Sequence, residues 1–483
     1  MRRAARGLLV ALALGSCGTP EAAAPEPPDP TPAAAEPAPL TDTYRAPVGR
    51  IVEASEDADY AWTWLEALCG DIGHRLSGSP SLERAVDWSA TELDAIEGVR
   101  VERQPVQVGV WIRGEESLEL VGDDAPLAMV GLGGSVGTGE EGVEGEVVVL
   151  SSLDEVEPRA SELAGKIVLF DQAMPDYDPD TYETGYGETV GIRTRGPAQA
   201  GARGALAVLV RSVTADRDSP PHTGATRYDD EGPRVPGAAV SVPVAERLHR
   251  LVDEGAHPRV RLRMQAHTEE ATATSHNVIA ELRGRELPDE IVVFGGHIDS
   301  WDVGQGCHDD GAGVVTAMAA LRVLVELGLT PRRTIRAILW TNEENGLAGA
   351  RAYEAEHWGD GLHVAGIESD IGAAPVIALD LHTEDVRRQD ALAQLGAIVT
   401  LLEPTGLREA RAGHGGADVS PLEDHGTPTV GLLHDPAHYF DLHHTAADTI
   451  ETVDRDAFLQ GVAVMAATVY VLADMEPRLS NPR

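Results

Sequence analysis

Lysine is all but missing from this 483-residue sequence: Lys166 is the only one, and arginine supplies the rest of the positive charge. The 38 lysines and arginines face 79 carboxylates, a formal net charge of −41. A surface of that sign repels nucleic acid and anionic lipid headgroups, which argues against either as a partner of the folded body. Such acidity suits a solubilised extracytoplasmic enzyme or a salt-adapted one. Cysteine is nearly as scarce, with Cys17, Cys69 and Cys307 alone. With Cys17 assigned to the leader described below, two cysteines in a chain of this size define no disulfide framework. Cys69 follows an apolar-periodic stretch and reads as a buried thiol. No second long apolar segment is read after the N-terminus, so no later membrane span is expected. Hydrophobic residues make up 42%, a globular composition, and the length favours two domains.

The first residues read as an export signal. Arg2, Arg3 and Arg6 precede an apolar run at residues 8–14, too short to cross a bilayer as a stable helix. The run ends in Leu14-Gly15-Ser16-Cys17, which resembles the lipobox of bacterial lipoproteins. That resemblance implies cleavage of a signal peptide at residues 1–16 and a lipid on the Cys17 thiol. The chain is then exported and held on a bacterial membrane, at the outer membrane and periplasm or at the cell surface, through that lipid alone. Residues 17–46, dominated by Ala, Pro, Glu and Thr, cannot bury a core and read as a tether.

Beyond the tether the texture changes twice. Residues 47–117 read as helical, with a turn-rich loop at 70–80 and a helix candidate at 81–97. Residues 118–270 break into short apolar strands separated by Gly and Pro, at 145–150, 166–170 and 205–210, and predict a β-rich insert. Residues 271–477 alternate strands (277–282, 290–296, 333–340) with helices (312–327, 347–357). The continuously apolar strands are those of a sheet buried on both faces. The expected fold is therefore α/β, a mostly parallel sheet flanked by helices, with the β-rich domain inserted. Ligands of such sheets gather beyond the carboxyl ends of the strands.

Five polar clusters fall at those ends. His297-Ile298-Asp299 follows a strand, and the two polar side chains point the same way in an extended segment. A carboxylate beside a ligating imidazole can take its second N–H. Asp309-Asp310-Gly311-Ala312-Gly313 opens a helix with more acid than an N-cap needs. Glu343 and Glu344 end a buried strand; adjacent carboxylates raise one another's pKa unless a cation holds them. That favours one as a ligand and the other as a general base. Glu368-Ser369-Asp370 and His443-His444 with Asp448-Thr449 complete the set. Two imidazoles and three carboxylates without thiolate suit zinc, ahead of manganese or cobalt.

With those segments in view, the sequence resembles the co-catalytic two-zinc exopeptidases that include bacterial leucyl aminopeptidases, most closely the plasma glutamate carboxypeptidase (carboxypeptidase Q) branch. The likeness is carried by Gly296-His-Ile-Asp-Ser-Trp-Asp-Val-Gly-Gln-Gly306, Asp309-Asp-Gly-Ala-Gly313, Trp340-Thr-Asn-Glu-Glu344, Glu368-Ser-Asp370, and His443-His444 with Asp448-Thr449. It extends to Gly73-His-Arg-Leu-Ser-Gly-Ser79, and the insert resembles a protease-associated domain around Gly165-Lys-Ile-Val168 and Gly201-Ala-Arg-Gly-Ala205. The resemblance implies two Zn2+ per chain, His297 and Asp370 on one, Glu344 and His444 on the other, and Asp309 bridging. It implies Glu343 as general base and Asp299 as the partner of His297. It also implies a cis peptide after Asp309. His444 is preferred to His443 as ligand because it stands four residues before Asp448, which leaves His443, with Tyr439, as a candidate for the substrate pocket. Cys307, two residues before Asp309, departs from the pattern, and a thiolate ligand there is an alternative to an inert side chain.

The function implied is a metallo-exopeptidase acting on dipeptides or short peptides. Two rivals stay open: another amide hydrolase or a glutaminyl cyclase on the same fold, and a catalytically inactive binding protein. The side-chain preference and the peptide end that is read stay open. So does the role of the insert, with shielding, substrate selection and homodimer contacts as alternatives.

Overall fold

In the computed structural model, residues 39–123, 125–383 and 388–479 are described. The signal peptide, Cys17 and the tether up to residue 38 lie outside them. The body begins with the helix Leu40–Glu56, seven residues before its expected start at residue 47. Tyr44, Val48, Ile51 and Ser55 recur at helical spacing and are its buried residues.

The main sheet has eight strands. Their order across it is Arg100–Val108, Ala273–Leu282, Arg333–Trp340, Leu287–His297, Leu362–Glu368, Thr429–His434, Val376–His382 and Glu409–Ala412. The central four run parallel and the flanks add antiparallel pairings. Arg333–Trp340 is buried at every position, as a strand covered on both faces must be. The helices Ala312–Glu326 and Arg455–Asp474 and the helix Leu40–Glu56 contribute to the same apolar core. Arg455–Asp474 corrects the reading that no second long apolar segment exists. It is long and apolar enough to cross a membrane, with a mean hydropathy of 1.6, yet 89% of that window is buried inside the protein. It is a core helix.

A second sheet of seven strands is built from residues between Glu116–Leu120 and Arg259–Met264. Its strands Val143–Leu150, Ile167–Phe170 and Ala207–Arg211 pair in parallel, where sequence reading placed short apolar strands. This region is less purely β than expected. The helices Gly191–Gly201 and Val242–Asp253 cover the sheet, the latter burying Val244, Ala245 and Leu248 at helical spacing. Gly196 and Pro197 disguise the former as a loop in sequence. Trp301, from the loop after the strand Leu287–His297, packs into the core of this second sheet. Gly133 lies so close to its ring that any side chain there would clash.

Candidate active site

Three adjacent parallel strands end side by side and deliver the first groups. His297 is the last residue of its strand, in register with Trp340 on one neighbour, while Gly295 is in register with Glu368 on the other. Glu343 and Glu344 follow Trp340, and Asp370 follows Glu368. A sheet with this crossover pattern therefore gathers an imidazole and three carboxylates at one edge. Asp309 comes from the turn Cys307–Gly311 that leads into the helix Ala312–Glu326, and His444 from a loop near the C-terminus.

Asp309 stands between two pairs. Its Oδ1 is 3.2 Å from His297 Nε2, which is 3.1 Å from Asp370 Oδ1. Its Oδ2 is 3.1 Å from His444 Nε2, which is 3.1 Å from Glu344 Oε2. His443 Nε2 is farther from the same Oδ2, at 3.7 Å, and its ring stacks on His444 at 3.5 Å. The five residues singled out as ligands thus meet, with one oxygen of Asp309 turned toward each pair. Asp309 Oδ2 and Glu344 Oε1 are buried and accept no hydrogen bond. Such a nest of nitrogen and oxygen donors, most of it withdrawn from water, fits divalent cations of the zinc type. Burial works against ionising Asp309, but His297 and His444 hold its carboxyl well below the ordinary range. Against its own burial, His444 is pushed up to about 9 by Glu344 and Asp309. Positive charge is what this cluster stabilises.

The supports of these groups explain several motifs. Asp448 accepts the backbone N–H groups of Cys307, His308 and Asp309, at 3.0, 2.7 and 3.2 Å, and so fixes the turn that carries Asp309. Asp310, joined to Asp309 by a cis peptide, accepts from His297 N and Gly313 N at 3.0 Å each. Gly313 has no room for a side chain because the Ser369 carbonyl lies against it. Buried Arg75 donates to the carbonyls of Ile298, Gln305 and Gly306 at 2.7–2.9 Å and shapes the loop between His297 and Asp309. Glu368 is no ligand; it accepts the N–H groups of Ala417, Asp418 and Val419.

Two expectations need correction. The His297 Nδ1–H donates to the main-chain carbonyl of Asp299 at 3.0 Å, with the Asp299 carboxylate 3.8 Å away. That carboxylate instead accepts Glu343 N at 3.0 Å and the Ser77 hydroxyl at 3.1 Å. Asp299 therefore orients the loop bearing Glu343, because the tight turn puts its own carbonyl nearer the imidazole. Ser77 in turn accepts from the amide of Asn342, whose left-handed φ of 69° starts that loop. The second correction concerns Cys69 and Cys307. They are neither a buried thiol nor a ligand but a disulfide pair, with Cα atoms 5.6 Å apart across 238 residues of sequence. Spacing alone could not reveal a contact made by tertiary folding.

A cavity of about 380 Å³ opens onto His297, Asp309, Glu343, Glu344, Asp370 and His444, with Tyr439 and His443 in its wall. Burial, together with Asp370, Glu344 and Asp299 nearby, pushes the Glu343 carboxyl well above the ordinary carboxylate range, against His297. The same cavity is also lined by residues from the second sheet's region: Tyr186, Val190, Arg193, Thr194, Ala225 and Arg227. Thr223 from that region accepts His444 Nδ1–H at 3.3 Å and donates its own N–H to the His444 carbonyl at 3.0 Å. Sequence reading missed all of these, since no motif marks a residue that reaches the site from another sheet.

Comparison with known proteins agrees with this geometry. The model of peptidase family M28 matches residues 277–469. The chain is 37% identical over 419 residues to carboxypeptidase Q of Homo sapiens, covering 86% of this chain and 85% of that protein. A crystal structure of a peptidase M28 precursor from Shewanella amazonensis matches with a TM-score of 0.86 at 33% identity, over 92% of this chain and 99% of that one. An aminopeptidase from Aneurinibacillus sp. strain AM-1 shares the fold at a TM-score of 0.63 and 21% identity, over 90% of this chain and 97% of that one.

Proposed function

The chain belongs to peptidase family M28 and is a peptidase, and on that premise we propose that it is a zinc-dependent exopeptidase that cleaves dipeptides or short peptides with two zinc ions. The observation that carries the reading is the division of Asp309, one oxygen facing His297 and Asp370 and the other facing His444 and Glu344. Those residues would hold the two ions, Asp309 bridging. When bound, the ions lower the pKa of the attacking water and polarise the scissile carbonyl.

The chain's own groups do the rest. Glu343, beside the ligands but outside the ligand set, takes the water proton and passes it to the leaving amine. Its raised pKa suits a group that must hold that proton between the two transfers. Asp299 keeps the Glu343 backbone in place through the 3.0 Å bond. Tyr439 and His443, which line the cavity, are assigned to the substrate pocket in this reading. The full set of five candidate ligands is what a catalytically inactive binding relative would be expected to have lost.

The protein acts outside the cytoplasm in this reading, lipid-anchored through Cys17 to a bacterial membrane. The Cys69–Cys307 disulfide supports export, since such bonds persist in oxidising compartments. Release of free amino acids from a dipeptide panel by protein carrying two zinc ions per chain is the test. A single zinc at full activity overturns the two-metal reading, and cleavage of acylated or cyclisable substrates alone overturns the peptidase reading.

A further inference from the structure

Two of the residues that line the metal cavity come from the second sheet's region and carry hydrogen-bonding groups that the reaction above leaves unused. Tyr186 begins the short helix Tyr186–Thr189, and Arg193 lies in the helix Gly191–Gly201. Arg193 is 5% exposed and forms no ion pair with a carboxylate among the described residues, in a chain with twice as many acids as bases. Burying an arginine in this way is costly unless its donors are placed. Nη1 donates to the Thr223 carbonyl at 3.2 Å and lies 3.3 Å from His444 Nδ1, and Nη2 meets the Tyr186 hydroxyl at 2.7 Å.

The last bond has only one polarity. A guanidinium has no acceptor, so the phenol oxygen accepts and the phenol proton must point elsewhere. Among the described residues no acceptor within hydrogen-bond range takes it. The ring cannot swing away to find one: it stacks on Phe440 at 4.5 Å and meets His443 edge-on at 5.3 Å. The unspent donor is therefore held in the wall of the cavity that Glu343 and the five candidate ligands also line.

We propose that Tyr186 is a catalytic residue of this peptidase, its hydroxyl donating a hydrogen bond to the scissile carbonyl oxygen as negative charge develops there, with Arg193 as its positioning residue. No covalent bond forms or breaks at Tyr186 and its proton stays on the phenol. Accepting from a charged donor makes the hydroxyl a stronger donor in turn. The inference rests on the peptidase reading and makes the insert part of the reaction centre.

The test compares Tyr186→Phe with the wild type, both loaded with zinc, on one dipeptide. Removing a donor of this kind lowers kcat on the order of 100-fold. Tyr186→Phe is expected to keep two zinc ions and a KM within about twofold of wild type while kcat falls by that order. Its affinity for a dipeptide phosphinate, whose anionic oxygens mimic the transition state, falls in proportion, and its affinity for an uncleavable ground-state peptide does not. Arg193→Ala is expected to fall between the two, with Arg193→Lys partly restored. A normal kcat in Tyr186→Phe overturns the inference, as does a loss that tracks zinc content or KM alone. A wild type that binds two zinc ions and cleaves no peptide overturns the reading beneath it instead.

Discussion

The two walls of the cavity are built in different ways. One is the edge of a parallel sheet, where register sets His297 beside Trp340 and brings Glu343, Glu344 and Asp370 within reach. Each of those side chains is placed by the strand it ends, and its neighbours in sequence carry the signature. The other wall is Tyr186, Arg193 and Thr223, which come from short helices and a loop of a separate sheet and touch the site only through the packing of two cores. In the proposed reaction the first wall would hold the cations and move a proton, while the second grips the His444 ring and would present a donor. A peptidase whose insert were a mere lid would survive damage to the second wall with its chemistry intact.

The sharpest contrast comes from the sheet edge. Asp309→Ala removes the one carboxylate shared by both pairs, so zinc content should fall below two per chain and turnover to background. Metal analysis beside the assay decides it, and retention of both ions would break the proposed bridging. Glu343→Gln should keep both ions and lower kcat by roughly 10²–10⁴-fold, the range for a lost general base. Near-normal turnover there would remove Glu343 from the reaction.

Smaller effects are expected on the other wall. Gly224 has a φ of +126°, and a Cβ there would clash with the Arg193 guanidinium. Gly224→Ala should displace Arg193 and lower kcat about tenfold, the strain itself costing ~1 kcal/mol or more of stability. An unchanged kcat would mean that the second wall only covers the site. Least affected should be the kinetics of the double variant Cys69→Ser, Cys307→Ser. It should unfold ~2–4 kcal/mol more easily in denaturant titrations while its kcat stays near wild type. A large loss of zinc would instead show that the pairing helps to hold the turn of Asp309.

Legibility followed the same divide. The strand ends at His297, Trp340 and Glu368 could be read because apolar strands stop where polar clusters begin, and the family resemblance that those clusters carry implied the five ligand candidates. The helix Gly191–Gly201 was lost behind Gly196 and Pro197, which weaken local helix signals that packing overrides. The start of the body at Leu40 was missed because about two helical turns of mixed residues beside a Pro-rich stretch carry little periodicity. Asp299 was assigned a plausible role by proximity in sequence, and the turn geometry gave it another.

The alternation of strands and helices after residue 271, the chemistry of the candidate metal-binding side chains and the family itself were legible in the sequence alone, because periodicity and local motifs are properties of neighbouring residues. The pairing of Cys69 with Cys307, the grip of Thr223 on His444 and the bond from Arg193 to Tyr186 were decided only by tertiary structure. Each joins segments whose closeness depends on how the chain folds back on itself, and that distance is written in no single stretch of it.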